Sequence, residues 1–281
     1  MANRTLLAIY AHPDDETFGV GGTMARYSSL GDRVTMVCAT RGEVGEIAPG
    51  TDATPETLGE HRERELRDAC AILGVTDVRF LDFRDSGMQG TPENDDPRCL
   101  HQAQPERVVE PLVRVIREVR PDVILTWDAS GGYGHPDHVA VHHHTTAAFH
   151  AAADASTYAS AGAAWRTPRL LYTAIPMAEF ARVFQEMQRR GIDLGFEPPG
   201  GNENFGRLER VEPNCVIDVA AHLESKQEAL AAHRTQMSDD GPFSKMPDDL
   251  RRDFFSREYF YVADPPLATG TTIDDLFAQP E

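Results

Sequence analysis

Leu6-Leu7-Ala8-Ile9-Tyr10-Ala11-His12-Pro13-Asp14-Asp15-Glu16 is the stretch on which the reading of the chain turns. Its first five residues are an unbroken apolar run, short enough for a strand. They show no polar alternation, the pattern of a strand covered on both faces. One imidazole and two adjacent carboxylates follow at once. A second run, Val123-Ile124-Leu125-Thr126-Trp127, has the same character, and Tyr133-Gly134-His135-Pro136-Asp137-His138 lies just beyond it. Two His/Asp clusters, each past the end of a buried strand, point to a metal-dependent hydrolase.

Working outward, strand-like and helix-like runs alternate. Strands are predicted at 5–10 and 33–39, with a helix at 19–30 between them. Residues 60–73 read as a helix, because Leu66, Ala69, Cys70 and Leu73 recur at three-to-four spacing and Gly74 ends it. A strand at 78–81, a helix at 105–119, a strand at 122–127 and an Ala-rich helix at 137–153 follow. After Pro168 come a strand at 169–175, a helix at 178–190, a strand at 214–219 and a helix at 220–234. This order predicts an α/β fold: a Rossmann-like three-layer sandwich with a mainly parallel sheet, plus a smaller C-terminal subdomain. The expected organisation is a single catalytic domain, 1–281. Residues 1–160 form the Rossmann-like core with both motifs, and 161–281 complete the sheet and the substrate pocket. The Gly/Pro/Asn-rich stretch 195–206 is expected as a long loop shaping that pocket, and 264–281 as loosely packed.

The 281 residues suffice for a sizeable core, and 41% of them are hydrophobic, which argues against disorder. A formal net charge of -18 argues against a phosphate-backbone partner, which needs clustered Lys and Arg, so no nucleic-acid binding is expected. No apolar run approaches the roughly 20 residues of a membrane span. Met1-Ala2-Asn3-Arg4 leads directly into a strand and is not read as a signal peptide. Cys38, Cys70, Cys99 and Cys215 form no Cys-x-x-Cys pair, and they read as small buried thiols in a reducing, cytoplasmic setting. Oligomeric state stays open, with a homo-oligomer as one outcome.

In parallel sheets, ligands bind beyond the carboxyl ends of the strands, so the two motifs can meet despite their separation in sequence. A catalytic zinc takes three protein ligands and keeps one position for water. His12, Asp15 and His138 form such a two-His, one-carboxylate set, which also suits ferrous iron. Asp14 is then left free to act as general base. Gly19, Gly21 and Gly22 do not have dinucleotide-loop spacing and are expected to serve close helix packing. His142, His143 and His144 cover several helix faces and are not expected to be ligands, although one of them can support the metal site from behind. His233 reads equally as a structural or a pocket residue.

The motifs His12-Pro13-Asp14-Asp15-Glu16 and His135-Pro136-Asp137-His138 resemble those of the LmbE-like, or PIG-L, family of zinc-dependent sugar N-deacetylases. The resemblance extends from residue 5 to about 262. Within the family, Arg84-Asp85-Ser86-Gly87-Met88 and Gly131-Gly132-Tyr133-Gly134-His135 look like the mycothiol-pathway deacetylase of N-acetylglucosaminyl inositol. Ala232-His233-Arg234-Thr235-Gln236 looks at least as much like the mycothiol conjugate amidase. The resemblance implies hydrolysis of an acetamide on a small amino-sugar conjugate, with an amidase acting on thiol conjugates as the alternative. It implies His12, Asp15 and His138 as metal ligands and Asp14 as general base and later proton donor. Tyr133 and His135 would stabilise the oxyanion, with Asp137 tuning His135. Glu46, Arg62 and Asp85 match positions that contact the sugar or its aglycone.

Overall fold

The computed structural model describes residues 4–192, 211–237 and 245–278; the stretch 195–206 lies outside them. Every residue of β1 (Thr5–Tyr10) is buried, which is why the strand reads as apolar throughout. Leu6, Ala8 and Tyr10 enter one core layer, while Leu7 and Ile9 enter the layer on the opposite face. The remaining elements are α1 (Asp15–Ser29), β2 (Arg33–Cys38), α2 (Leu58–Ile72), β3 (Asp77–Phe80), α3 (Pro105–Val119), β4 (Val123–Trp127), the short α4 (Gly131–Gly134) and α5 (Pro136–Ala152). They continue with β5 (Arg169–Thr173), α6 (Met177–Arg189), β6 (Cys215–Asp218), α7 (Leu223–Ala232), α8 (Asp248–Phe255) and β7 (Arg257–Asp264). α1 and α2 pack on the Leu6 face through Val20, Met24, Leu66 and Cys70. α3 and α5 pack on the Leu7 face through Leu112, Ile116, Val141 and Phe149.

The seven strands run in the order β3-β2-β1-β4-β5-β7-β6. All pairings are parallel except those of β7, which lies antiparallel between β5 and β6. The chain leaves β1 toward β2 on one side and returns to β4 on the other. The carboxyl ends of β1 and β4 therefore flank the switch point, where an open α/β sheet has its crevice. Among the described residues, no helix is long and apolar enough to cross a membrane.

Three expectations are corrected. α1 begins at Asp15, not at 19. Asp15 and Glu16 suit a first turn, where negative charge meets the positive end of the helix dipole. The glycines behind them dilute helix propensity and hide that turn from a sequence reading. Gly22 is there for packing, since a Cβ on it would lie 2.6 Å from the Val219 side chain. β7 and α8 had not been anticipated at all. β7 alternates buried and half-buried residues and enters without a helical crossover, so the βα rhythm does not announce it. The tail is also not loose as far as it is described: Leu276 is fully buried, its N–H donates to the Tyr27 hydroxyl at 2.9 Å, and its carbonyl accepts from Arg169.

Arg117 on α3 is buried, and among the described residues it makes no salt bridge. Its guanidinium donates to the carbonyls of Ala151, Ala152, Asp154, Thr157, Tyr158 and Gly162, and so ties off the end of α5 and the loop beyond it. Arg117→Met should lower unfolding stability by about 2–4 kcal/mol, because buried carbonyls lose a charged donor. Urea denaturation would show this as a lower midpoint at unchanged slope.

Candidate active site

His12 leaves β1 in the tight turn to α1, and His138 sits in the first turn of α5. The residues between β4 and α5 make this placement possible. Gly131 has φ +60, and a Cβ there would lie 2.8 Å from the His138 Cβ and 2.9 Å from the Val139 main-chain nitrogen. Pro136 opens α5 at a position where its missing N–H costs nothing. His135 caps that helix, its Nδ1 accepting from the Asp137 N–H at 3.1 Å.

The donor atoms converge. His12 Nδ1 lies 3.2 Å from His138 Nε2, and His138 Nε2 lies 3.3 Å from Asp15 Oδ1. Two donors each about 2.1 Å from a tetrahedral zinc stand roughly 3.4 Å apart, so this spacing fits such an ion. The other atoms of the same side chains are already committed. His12 Nε2 donates to Asp137 Oδ2 at 3.1 Å, and His138 Nδ1 donates to the Gly131 carbonyl at 3.1 Å. Asp15 Oδ2 accepts from the Ala11 and His12 N–H groups and from the Trp127 indole. Each tautomer and carboxylate is thereby oriented so that one lone pair faces its neighbours. Trp127 also stacks flat on His138, 4.5 Å between ring centres.

The charges point the same way. Burial alone would lower His12, but Asp85, Asp137 and Asp15 outweigh it and hold the imidazole well above its ordinary value. Burial also opposes the charge on Asp15, yet His138 and His12 hold that carboxylate well below the usual range. Burial, with Asp15 beside it, pushes Asp14 up to about 7. Adjacent carboxylates driven apart in this way are suited to different tasks. Burial and the neighbouring His12 and His138 push His135 down to about 3, so it is neutral. Because its Nδ1 accepts a hydrogen bond, its proton is on Nε2. That makes it a donor, and a poorer third nitrogen ligand than its proximity to His12 and His138 would suggest.

Asp14 has φ 110 and ψ -31, a conformation that costs a non-glycine residue about 1–3 kcal/mol. Among the described residues its carboxylate makes no hydrogen bond. It lines a cavity of about 390 Å³ with Asp15, Tyr133, Phe18 and Ile175. Tyr133 overhangs the cluster, its ring edge-on to His138 at 4.9 Å.

Asp137 serves a different partner from the one expected. Its carboxylate reaches His12 and both the N–H and hydroxyl of Ser86, and only its main-chain N–H reaches His135. Two residues past a helix cap, its N–H can turn back to His135 while its side chain points to β1. Asp137→Asn should weaken zinc binding about 10- to 100-fold, the usual cost of disturbing a ligand's supporting partner. Competition with a fluorescent chelator measures it, and unchanged affinity would detach Asp137 from the metal site.

Asp85 stands against the cluster, with Oδ1 3.5 Å from His12 Nε2. Arg62 is buried in a slot that Gly42 and Gly45 leave for it: a Cβ on either would come within 2.5 Å of its Nη1. Glu46 is exposed, and it is its carbonyl that accepts from Arg62 at 3.0 Å. His142 donates to the Trp127 carbonyl at 2.9 Å and stays outside the cluster. Sequence reasoning missed Ser86 and Trp127 as supports, although both lie in stretches it had singled out.

Residues 7–149 match the family model described as PIG-L, GlcNAc-PI de-N-acetylase. The chain is 41% identical, over 94% of its length and 92% of the relative's, to the 1D-myo-inositol 2-acetamido-2-deoxy-alpha-D-glucopyranoside deacetylase of Thermomonospora curvata. It is 38% identical to the protein of the same name from Geodermatophilus obscurus, with 98% of each chain covered. Among solved structures, it is similar to the N,N'-diacetylchitobiose deacetylase of Pyrococcus horikoshii, with a TM-score of 0.66 and 20% identity over 93% of this chain and 84% of that one. It is also similar to the 4-carboxy-2-hydroxymuconate hydratase of Pseudomonas putida, with a TM-score of 0.65 and 18% identity over 96% and 100%. At these identities the likeness is one of fold, and the fold alone does not choose the chemistry.

Proposed function

The chain belongs to the PIG-L family, and from that footing we propose that it removes the N-acetyl group from an N-acetylglucosamine-type conjugate, releasing acetate and a free amine. The observation that carries this reading is the convergence of His12 Nδ1 and Asp15 Oδ1 on His138 Nε2, at 3.2 and 3.3 Å, beside the carboxylate of Asp14, which makes no hydrogen bond among the described residues. The names of the relatives support an amino sugar joined to inositol as the substrate. Four buried, unpaired cysteines support a reducing, cytoplasmic setting.

His12, Asp15 and His138 would hold the ion, for which we propose zinc. Bound there, a divalent ion acidifies water and polarises the amide carbonyl. Asp14 takes the proton of the attacking water. The Tyr133 hydroxyl and the His135 Nε2–H donate to the oxyanion that forms on the carbonyl oxygen. As the C–N bond breaks, protonated Asp14 returns its proton to the departing nitrogen. Asp137 holds His12, and Asp85 and Arg62 bind the sugar. Glu46, on the exposed loop, faces the aglycone.

The test is an amine-release assay with free N-acetylglucosamine, its inositol conjugate and a thiol conjugate, run on metal-free enzyme and after adding zinc or, under anaerobic conditions, ferrous iron. The inositol conjugate should give the highest kcat/KM, with activity lost on metal removal and restored by zinc. Preference for the thiol conjugate would favour the amidase alternative. Full activity without metal would end the metal-dependent reading.

A further inference from the structure

The segment after α7 closes on the first motif from behind. Gln236 Nε2 donates to the Pro13 carbonyl at 2.7 Å, and Thr235 donates through its N–H and hydroxyl to Glu65 at 2.9 and 2.6 Å. His233 Nε2 donates to Glu16 Oε1 at 2.7 Å, and both side chains are fully buried. The Thr17 hydroxyl donates to the same carboxylate oxygen. The other oxygen of Glu16 accepts the main-chain N–H of Asp14 at 2.9 Å.

That last bond falls on the residue with the unfavourable backbone. A non-glycine residue keeps φ 110 only where its surroundings enforce it. Asp14 is enforced on three sides. Its carbonyl accepts from Thr17 and Phe18, its N–H is taken by Glu16, and the residue before it is pinned by Gln236. Glu16 can hold the N–H only while its own rotamer is fixed, and His233 fixes it across 217 residues of chain. Neither Glu16 nor His233 belongs to the converging ligand groups.

We propose that Glu16 and His233 are a positioning pair for Asp14, through which the C-terminal part of the chain sets the direction of the general base. This rests on the reading of Asp14 as that base.

The test measures kcat, KM and zinc content in Glu16→Ala, Glu16→Gln, His233→Ala and the double alanine variant, at a temperature where each is folded by circular dichroism. Glu16→Ala should lower kcat about 10- to 100-fold, the cost of a small misplacement of a reacting group. KM should stay within about threefold, with zinc still bound one per chain, because binding groups are untouched. Glu16→Gln keeps an acceptor for the Asp14 N–H and should recover most of the loss. The double variant should be no worse than Glu16→Ala, since groups acting in series are not additive. A purely structural role would lower the melting temperature and leave kcat per folded chain unchanged, and that result would overturn the proposal, as would multiplicative losses in the double variant. If Glu16→Ala does not fold, His233→Ala is compared with His233→Gln. Recovery in the glutamine variant, which returns a donor to Glu16, supports the pair, and equal kcat in the two variants overturns it. An active Asp14→Asn would remove the base reading itself, whereas an inactive Asp14→Asn beside an unaffected Glu16→Ala would remove this inference alone.

Discussion

His138→Ala should leave a folded protein that no longer holds zinc and no longer releases amine. The imidazole is fully buried and oriented on both nitrogens, Nδ1 by the Gly131 carbonyl and Nε2 toward His12 and Asp15. Removing it takes one of the three proposed donors from the site. His135 is close, but its proton is on Nε2, committed there by the bond that caps α5. The expected loss in kcat/KM is more than about 10³-fold, beyond what a single oxyanion donor supplies. Elemental analysis after gel filtration reads the metal. Stoichiometric zinc in this variant would dismantle the proposed site.

Asp14→Asn should do the opposite to the metal and nearly the same to the rate. The amide is isosteric, and the main-chain bonds that hold residue 14 do not involve its side chain. Zinc should therefore remain at one per chain with KM little changed, while kcat falls about 10²- to 10⁴-fold, the range for losing a general base. The contrast with Asp15 is the informative part. Asp15 spends one oxygen on two N–H groups and an indole and offers the other to His138, whereas Asp14 faces the cavity. If zinc content fell in Asp14→Asn, the roles of base and ligand would have to be exchanged.

Much of this was legible in the chain itself. An apolar run without alternation identifies a central strand, and a polar cluster at its carboxyl end belongs to the crevice, so His12 and His138 could be paired before any coordinates. What escaped depends on where elements insert and not on what they contain. β7 becomes a strand because β5 and β6 leave a lane between them. Arg62 is matched to the sugar by resemblance alone, because its charge run, Glu60-His61-Arg62-Glu63, does not show that it is buried, and only the two glycines opposite reveal a slot for it. The partner of Asp137 depends on how α5 is aimed, which no local pattern states. Glu16 was visible as part of the motif, but its task came into view only once His233 was seen beside it.

The assembly of the crevice from residues far apart in the chain has a kinetic consequence. His12 and His138 are 126 positions apart, and Glu16 and His233 are 217 apart. Contacts of such range form late, because closing long loops must precede any reward from them. During synthesis the first ligands emerge well before the strand that carries their partner into register. An ion held by His12, Asp15 and His138 would therefore not be the nucleus around which the chain collapses, as it is in small metal-templated domains. On the proposed reading, the sheet would be built before the ion is bound, and the fold would have to stand without it.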